Sequence, residues 1–372
     1  MLVIGAGIAG LTLAGRLCQQ GRPPVIVERS ASADSGYAIG LYPLGSCVLH
    51  GLGTYRELAR QSVALERYEL ASAAGRVLQS FDMTVLTAAA GPLLMVTRTD
   101  LLGVLESSCR QADLRRGVMV RSLTQAPDGV KVTFDDGSKE EFDAVVGCDG
   151  IHSRTRELVF GPAGGFESCW LLWTWWAGGG SFDPKVAREW CGPGSFFGVY
   201  PVPGQVMCAA GGPAGASRGG DVRSLLRRQL GPLCRREPGV AAAIDELGEA
   251  HSWAMADRRS RRWVEHRVAL CGDAAVAFMP TAGVGASVAM RAAAGLADEL
   301  SRADAAAVPL AFERYQRRCR RLAERAQAES RRLARAMFVG QPVLAGLRDQ
   351  VLRRYPASLA LRSIIDSVHQ PF

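Results

Sequence analysis

No Cys-x-x-Cys pair occurs in this chain, although it carries ten cysteines, and no histidine stands at ligand spacing beside one. That absence excludes the common zinc frameworks. The cysteines (Cys18, Cys47, Cys109, Cys148, Cys169, Cys191, Cys208, Cys234, Cys271 and Cys319) are scattered singly, which reads as reduced thiols in a cytoplasmic protein. Long apolar runs are also missing. Trp170 to Trp176 falls far short of the ~20 residues of a membrane helix, so no membrane span is expected. The apolar start MLVIGAGIAGLTLAG has no basic segment before it and is interrupted by glycines, which argues against a signal peptide. No internal repeat or low-complexity linker is present. Histidine is scarce, with five residues, and only His152 lies inside a motif; the catalytic acid and base are therefore unassigned.

What is there describes an ordinary globular chain. At 372 residues, 48% hydrophobic and 22% charged, it has length for two domains and needs neither disulfide nor metal to hold a core. The net charge of +8 comes from arginine rather than lysine and concentrates at Arg314, Arg317, Arg318, Arg320, Arg321, Arg325, Arg331, Arg332 and Arg335. Such a run suits nucleic acid or an acidic surface. It equally suits the solvated face of a helix whose inner stripe is Tyr315, Leu322, Ala326 and Leu333, and this second reading is preferred. No nucleic-acid partner is expected.

The pattern of elements is α/β. Leu2 to Ile4 reads as a strand, Gly5 to Gly10 as a turn, Leu11 to Gln20 as a helix capped by Gly21, and Val25 to Val27 as a strand ending at Glu28. Leu93 to Val96 reads as a strand and Arg98 to Cys109 as a helix. Val118 to Val120, Val130 to Phe134 and Phe142 to Gly147 read as strands joined by Asp-Gly turns. Residues 166 to 254 carry Trp170, Trp173, Trp175, Trp176 and Trp190 among many glycines and prolines, which reads as an inserted antiparallel lobe.

Three glycine-and-acid turns carry the chemistry. In Gly5-Ala6-Gly7-Ile8-Ala9-Gly10, the glycines permit a tight turn, close approach of backbone to a pyrophosphate, and close packing of helix on strand. Glu28, followed by Arg29, stands where an acid accepts hydrogen bonds from ribose hydroxyls. Val145-Val146-Gly147-Cys148-Asp149-Gly150 and Val268-Ala269-Leu270-Cys271-Gly272-Asp273 each end an apolar strand in Asp and Gly. Pro280, Gly283, Gly285 and Ala286 follow the second, where glycines let backbone approach a flat ring.

This set, together with Arg98 in R-x-x-L-x-x-x-L, resembles the para-hydroxybenzoate hydroxylase-type, group A FAD-dependent monooxygenases. The likeness covers most of the chain and is thinnest in the tryptophan-rich lobe and beyond residue 340. It implies an FAD-binding Rossmann-like (GR2-type) domain with an inserted antiparallel β-sheet substrate lobe and C-terminal helices. The domain is expected at 1–65, 93–165 and 255–340, the lobe at 66–92 and 166–254, and a C-terminal helical tail at 341–372.

By the same resemblance, FAD is reduced by a transiently bound NAD(P)H. O2 then gives a flavin C4a-hydroperoxide that hydroxylates or epoxidises an apolar, aromatic or polycyclic small molecule. The glycine turn would hold the pyrophosphate, Glu28 the ribose and Asp273 the ribityl chain. Gly283 to Ser287 would line the isoalloxazine, Arg98 would touch the cofactor, and Asp149 with Gly150 would serve FAD and NAD(P)H together. Gly40 and Val120 are placed as backbone contacts by spacing. Two positions depart from the pattern: Val276 stands where relatives often have histidine, and Arg291 where an acid is common. Trp173, Trp175 and Tyr200 are candidate pocket residues, with ordinary packing as the alternative for each; Tyr37 and Tyr42 are placed the same way.

Other readings remain open at this level. Flavin-dependent halogenases share the scaffold and carry W-x-W-x-I-P; Trp173-Thr174-Trp175-Trp176-Ala177-Gly178 keeps tryptophans without Ile-Pro. A reductase of the geranylgeranyl type and a non-catalytic flavin- or nucleic-acid-binding protein are further alternatives. A monomer or homodimer is expected.

Overall fold

The computed structural model describes residues 1–31, 36–88, 90–217 and 221–354. The part of the expected C-terminal tail beyond 354 lies outside the described residues.

A six-stranded sheet forms the frame, in the order Val264–Glu265, Val268–Leu270, Val145–Gly147, Leu2–Ile4, Val25–Glu28, Asp113–Arg116. All neighbours pair in parallel except the first two strands. The middle strands are continuous buried Val, Ile, Leu and Ala, as a sheet covered on both faces requires. Helices Ile8–Gln19 and Gly285–Leu300 pack on one face, while a three-stranded sheet of Val120–Gln125, Val130–Phe134 and Lys139–Phe142 closes the other.

The lobe is an eight-stranded sheet built on Gly164–Gly178, Gln205–Pro213, Ser195–Val202 and Val186–Gly192, extended by Arg67–Ser72 and Val77–Asp82 on one side and His251–Arg259 and Val276–Ala277 on the other. The lobe sheet thus runs past residue 254. A fully buried carboxylate, Asp257, accepts a forked hydrogen-bond pair from Arg331 (2.5 and 2.7 Å) and one from the Phe166 amide (3.0 Å). Arg331 belongs to the long helix Val308–Met337, which this pair locks onto the lobe. One turn earlier, buried Gln327 donates to the carbonyls of Arg258 and Ala277.

Several elements differ from the sequence expectation, each for a physical reason. Strand Asp113–Arg116 was not expected; it is a charged edge strand with no apolar face to announce it. Phe142 to Gly147 splits into two strands in two different sheets. The first helix begins at Ile8, inside the glycine turn. Helix Pro43–Leu52, and within the lobe the helices Val222–Gln229, Gly231–Arg236 and Pro238–Asp245, were not expected. Three of them carry proline in the first helical turn, where its missing N–H costs nothing.

The late arginine run is a helix face, as preferred. Arg318 meets Glu299 and Asp298, Arg320 meets Glu324, and Arg332 meets Glu329. Beneath them Phe312, Tyr315, Cys319, Ala323 and Ala326 form the inner stripe. Among the described residues no helix is long and apolar enough to cross a membrane.

Candidate active site

Parallel pairing brings the three turns together. Leu2–Ile4 lies between Val25–Glu28 and Val145–Gly147, and the latter lies beside Val268–Leu270, so all four carboxyl ends open on one edge of the sheet. Ligands of open α/β sheets bind at that edge.

Gly5 is left-handed (φ 106°), and a Cβ on it would lie 2.5 Å from the Cys148 carbonyl oxygen. A Cβ on Gly10 would lie 2.0 Å from the Gly5 carbonyl oxygen. Gly7 is the opposite case: nothing lies within 4 Å of its missing Cβ. It is the N-cap of helix Ile8–Gln19, which has no side-chain cap and no acid in its first turn. The amides of that turn have no side-chain acceptor, and a phosphate would complete them.

Glu28 holds the turn from the side, accepting hydrogen bonds from the Ala6 amide (2.8 Å) and the Ser30 amide (2.9 Å). Each oxygen keeps a lone pair for a ribose hydroxyl. Arg29 is exposed just beyond. Asp149 is more fully used: Ser153 Oγ (2.5 Å), the Thr155 amide (2.9 Å) and Thr155 Oγ1 (3.0 Å) all donate to it. In this structure it caps helix Arg154–Phe160, with Gly150 left-handed beside it (φ 79°). Val120 is buried against the sheet frame, and Gly40 lies in a three-stranded sheet with Leu94–Thr97 and Val63–Ala64.

Asp273 has no hydrogen-bond partner among the described residues. Its side chain is exposed, although protein crowds it on several sides. Burial pushes its carboxyl up from 3.8 to about 6. Tyr37 stands close by: its hydroxyl feels the charges of Arg98 and Asp273, and burial chiefly pushes it up. Arg98 is held in turn because Gly36 packs against it; a Cβ on Gly36 would lie 2.6 Å from the Arg98 Cβ.

An FAD would supply what these groups lack: phosphate for the Gly7 amides and hydroxyls for Asp273. The residues present therefore fit the cofactor. Hydroxyl donors favour the charged carboxylate, so Asp273 holds its proton more tightly without FAD than with it. Affinity of the apoprotein for FAD is thus expected to fall as pH drops through about 6, approaching about tenfold per unit below that. Quenching of flavin fluorescence measures it, and Asp273→Asn should flatten the curve. A flat titration in the unaltered protein rules out this role.

Past Asp273, the chain turns at Gly283 (φ 64°) and enters helix Gly285–Leu300, whose first amides, from Gly285, Ala286 and Ser287, have no acceptor within the helix. Pro280 starts the short turn before it. Ser287 Oγ accepts from the Tyr42 amide (3.1 Å), and the Tyr42 ring lies 3.8 Å from where a Gly283 Cβ would be. Val276 is buried in a strand pair with Arg259, and Arg291 is buried in the second turn of the helix, on the side of Cys319 and Arg318.

The tryptophan expectation needs correcting. Strand side chains alternate between faces. Trp173 and Trp175 (each 3% exposed) fall on the outer face of the lobe sheet, in a closed core with Trp190, Phe197 and helices Val222–Gln229 and Pro238–Asp245. The Trp175 indole donates to the Ala243 carbonyl (2.7 Å). The face turned toward the flavin-binding frame carries Leu172, Trp176, Phe196, Tyr200, Met207 and Trp253. Tyr200 lies on this inner face. Glu189 and Tyr68 on the same face were missed; a parity count from Tyr200 across the sheet finds them only once the register is known.

Residues 1–330 match the family model described as FAD binding domain. A 3-amino-4-hydroxybenzoate 2-monooxygenase of Streptomyces platensis is 29% identical over 326 residues, covering 84% of this chain and 82% of that protein. An aurachin C monooxygenase/isomerase of Stigmatella aurantiaca is 29% identical over 333 residues, covering 85% and 84%. Among solved structures, Klebsiella pneumoniae HpxO complexed with FAD and uric acid superimposes with a TM-score of 0.87 at 23% identity, over 99% of this chain and 96% of that one.

Proposed function

The chain belongs to the FAD binding domain family and is an FAD-dependent monooxygenase, and from that premise we propose that it hydroxylates an aromatic small molecule of the aminohydroxybenzoate kind with NAD(P)H and O2. The observation that carries the reading is the apposition of the Gly283–Ser287 turn, through Tyr42, to the inner face of the lobe sheet. A flat ring on that turn would face a wall of Trp176, Phe196, Tyr200 and Met207, which offers apolar area and a phenol for orientation.

Bound FAD supplies the electron transfer from NAD(P)H and the transfer of one oxygen atom. The chain's own residues do the rest. The Gly7 turn and Glu28 anchor the adenosine end, Asp273 and Arg98 hold the middle, and the amides of Gly285 to Ser287 face the ring. Tyr37 and Trp253, 5.5 Å apart, stand at the junction of frame and lobe and restrict water. Relatives acting on aminohydroxybenzoate and aurachin support a role in specialised metabolism. All ten cysteines are free thiols, which supports a reducing, cytoplasmic setting. The sheet topology supports a flavin domain with an inserted lobe, and we take the chain to work as a monomer or homodimer.

The test is a screen of hydroxy- and aminobenzoates, quinolines and purines for stimulated NAD(P)H oxidation, with hydrogen peroxide measured alongside. The expected result is at least one aromatic compound that stimulates oxidation more than tenfold with little peroxide. If no aromatic stimulates, the substrate assignment is wrong.

A further inference from the structure

We propose that helix Pro342–Arg354 docks the protein on an anionic lipid surface. Its outward apolar stripe enters the headgroup boundary, and the arginines at its two ends meet the anionic headgroups.

A surface helix ordinarily turns its apolar stripe to the core and its charged face to water. Helix Pro342–Arg354 is mounted the other way round. Ala345, Arg348, Asp349 and Leu352, at i, i+3, i+4 and i+7, form its inner side. Ala345 is buried, Arg348 pairs with Asp349 (2.8 Å) and donates to the Cys191 carbonyl (3.1 Å), and the Gln79 side chain donates to the Leu352 carbonyl. Val343, Leu344, Leu347 and Val351 fall on the opposite side, from 49% exposed at Leu344 to 76% at Val343. They form one stripe about 100° wide. Rolling the helix to bury that stripe would pull Arg348 off the lobe, so the inner contacts hold the apolar face outward.

The charge around the stripe has one sign. Residues 331–354 hold six arginines, no lysine and a single acid, Asp349. Arg331 and Arg348 are engaged by the protein itself, through Asp257 and Asp349. Arg335, Arg353 and Arg354 are exposed, and Arg332 is 72% exposed despite its pair with Glu329. Two of these four stand just before the stripe and two just after it. On the long helix, exposed Arg314, Arg317, Arg321 and Arg325 continue the line of Arg332 and Arg335 at steps of three, four and seven.

Aliphatic side chains outward between cations are the pattern of a helix lying in a membrane interface. There the apolar side chains leave water, and each arginine near an anionic surface strengthens binding about fivefold. A second copy of the chain fits the stripe less well: an antiparallel pair of these helices would bring the arginines at one end of each against those at the other end of its mate. Nucleic acid would use the arginines alone and leave the stripe in water, which offers no aromatic ring for a base to stack on. The helix is mounted on the lobe sheet, so docking carries the lobe to the lipid.

Cosedimentation of the full-chain holoenzyme with vesicles is the test. Phosphatidylcholine vesicles with about one-third phosphatidylglycerol should carry the protein down at low salt, pure phosphatidylcholine about tenfold less. Salt at about 0.5 M should release most of it. Arg353→Gln with Arg354→Gln should weaken binding to the anionic vesicles about 25-fold. Leu347→Asp should abolish it with flavin absorbance and melting unchanged, because the position is exposed. Val343→Asp serves if Leu347→Asp loses its flavin, since an acid in the first turn favours a helix. Failure of the unaltered protein to cosediment overturns the proposal, and so does undiminished binding by both stripe variants. A dimer that Leu347→Asp disperses in light scattering, without vesicle binding, overturns it in favour of a second copy. Retention of a DNA duplex in place of vesicles overturns it in favour of nucleic acid.

Discussion

Gly7→Asp is expected to yield a folded but colourless protein. The substitution meets no steric objection, since nothing lies within 4 Å of the new Cβ and Gly7 already has the extended backbone of an N-cap (φ −82°, ψ −172°). Aspartate is among the preferred N-cap residues and glycine is itself a fair one, so helix Ile8–Gln19 should gain roughly a few tenths of a kcal/mol in the apoprotein. The same carboxylate takes the amides that face the pyrophosphate and sets a negative charge against it. Like charges in contact cost several kcal/mol, so FAD affinity should drop about a thousandfold, roughly 4 kcal/mol. Visible absorbance of the purified protein, flavin titration and apoprotein melting measure the three parts. A yellow Gly7→Asp protein with undiminished affinity would remove the glycine turn from the cofactor site. Gly10→Ala would be a poor substitute, because its Cβ collides with the Gly5 carbonyl and destroys the turn before flavin is offered.

The second large effect concerns stability rather than binding. Arg331→Gln leaves Asp257, with no exposed surface, holding only the Phe166 amide of its former partners. Removing one member of a buried ion pair strands a charge where water cannot reach it, at about 3–5 kcal/mol. Arg331 is itself partly exposed, so the lower end is expected. The readout is the urea midpoint of the apoprotein. Adding Asp257→Asn should restore much of the loss, because a neutral amide leaves no stranded charge; if the double variant is as unstable as the single, charge is not the cause. Helix Val308–Met337 and the lobe should loosen together, since this pair and Gln327 help to join them.

Each sequence expectation succeeded or failed with the range of the physics behind it. The glycine turn, Glu28 and the two Asp-Gly strand ends were legible because a tight turn, a helix N-terminus and a buried parallel strand each leave a local mark. The tryptophans show where local reading stops. Trp173 and Trp175 looked like pocket residues beside Trp176, yet one step along a strand reverses the face, and only the register with Gln205–Pro213 says which face is which. The helices opened by Pro43, Pro232 and Pro238 went unread, because nothing in the immediate neighbours of a proline distinguishes a helix start from a turn.

The sequence by itself determined that this chain would build a dinucleotide cradle, because the residues that do so act within a few positions of one another and are constrained by backbone geometry alone. Only the tertiary structure decided what stands around that cradle. Glu189 and Tyr200 lie on neighbouring strands with Gly198 opposite Glu189, Tyr42 arrives from another layer, and Asp273, near Tyr37, has no hydrogen-bond partner among the described residues. Those relations depend on sheet register and on how lobe and frame close together, and no stretch of the chain carries them alone.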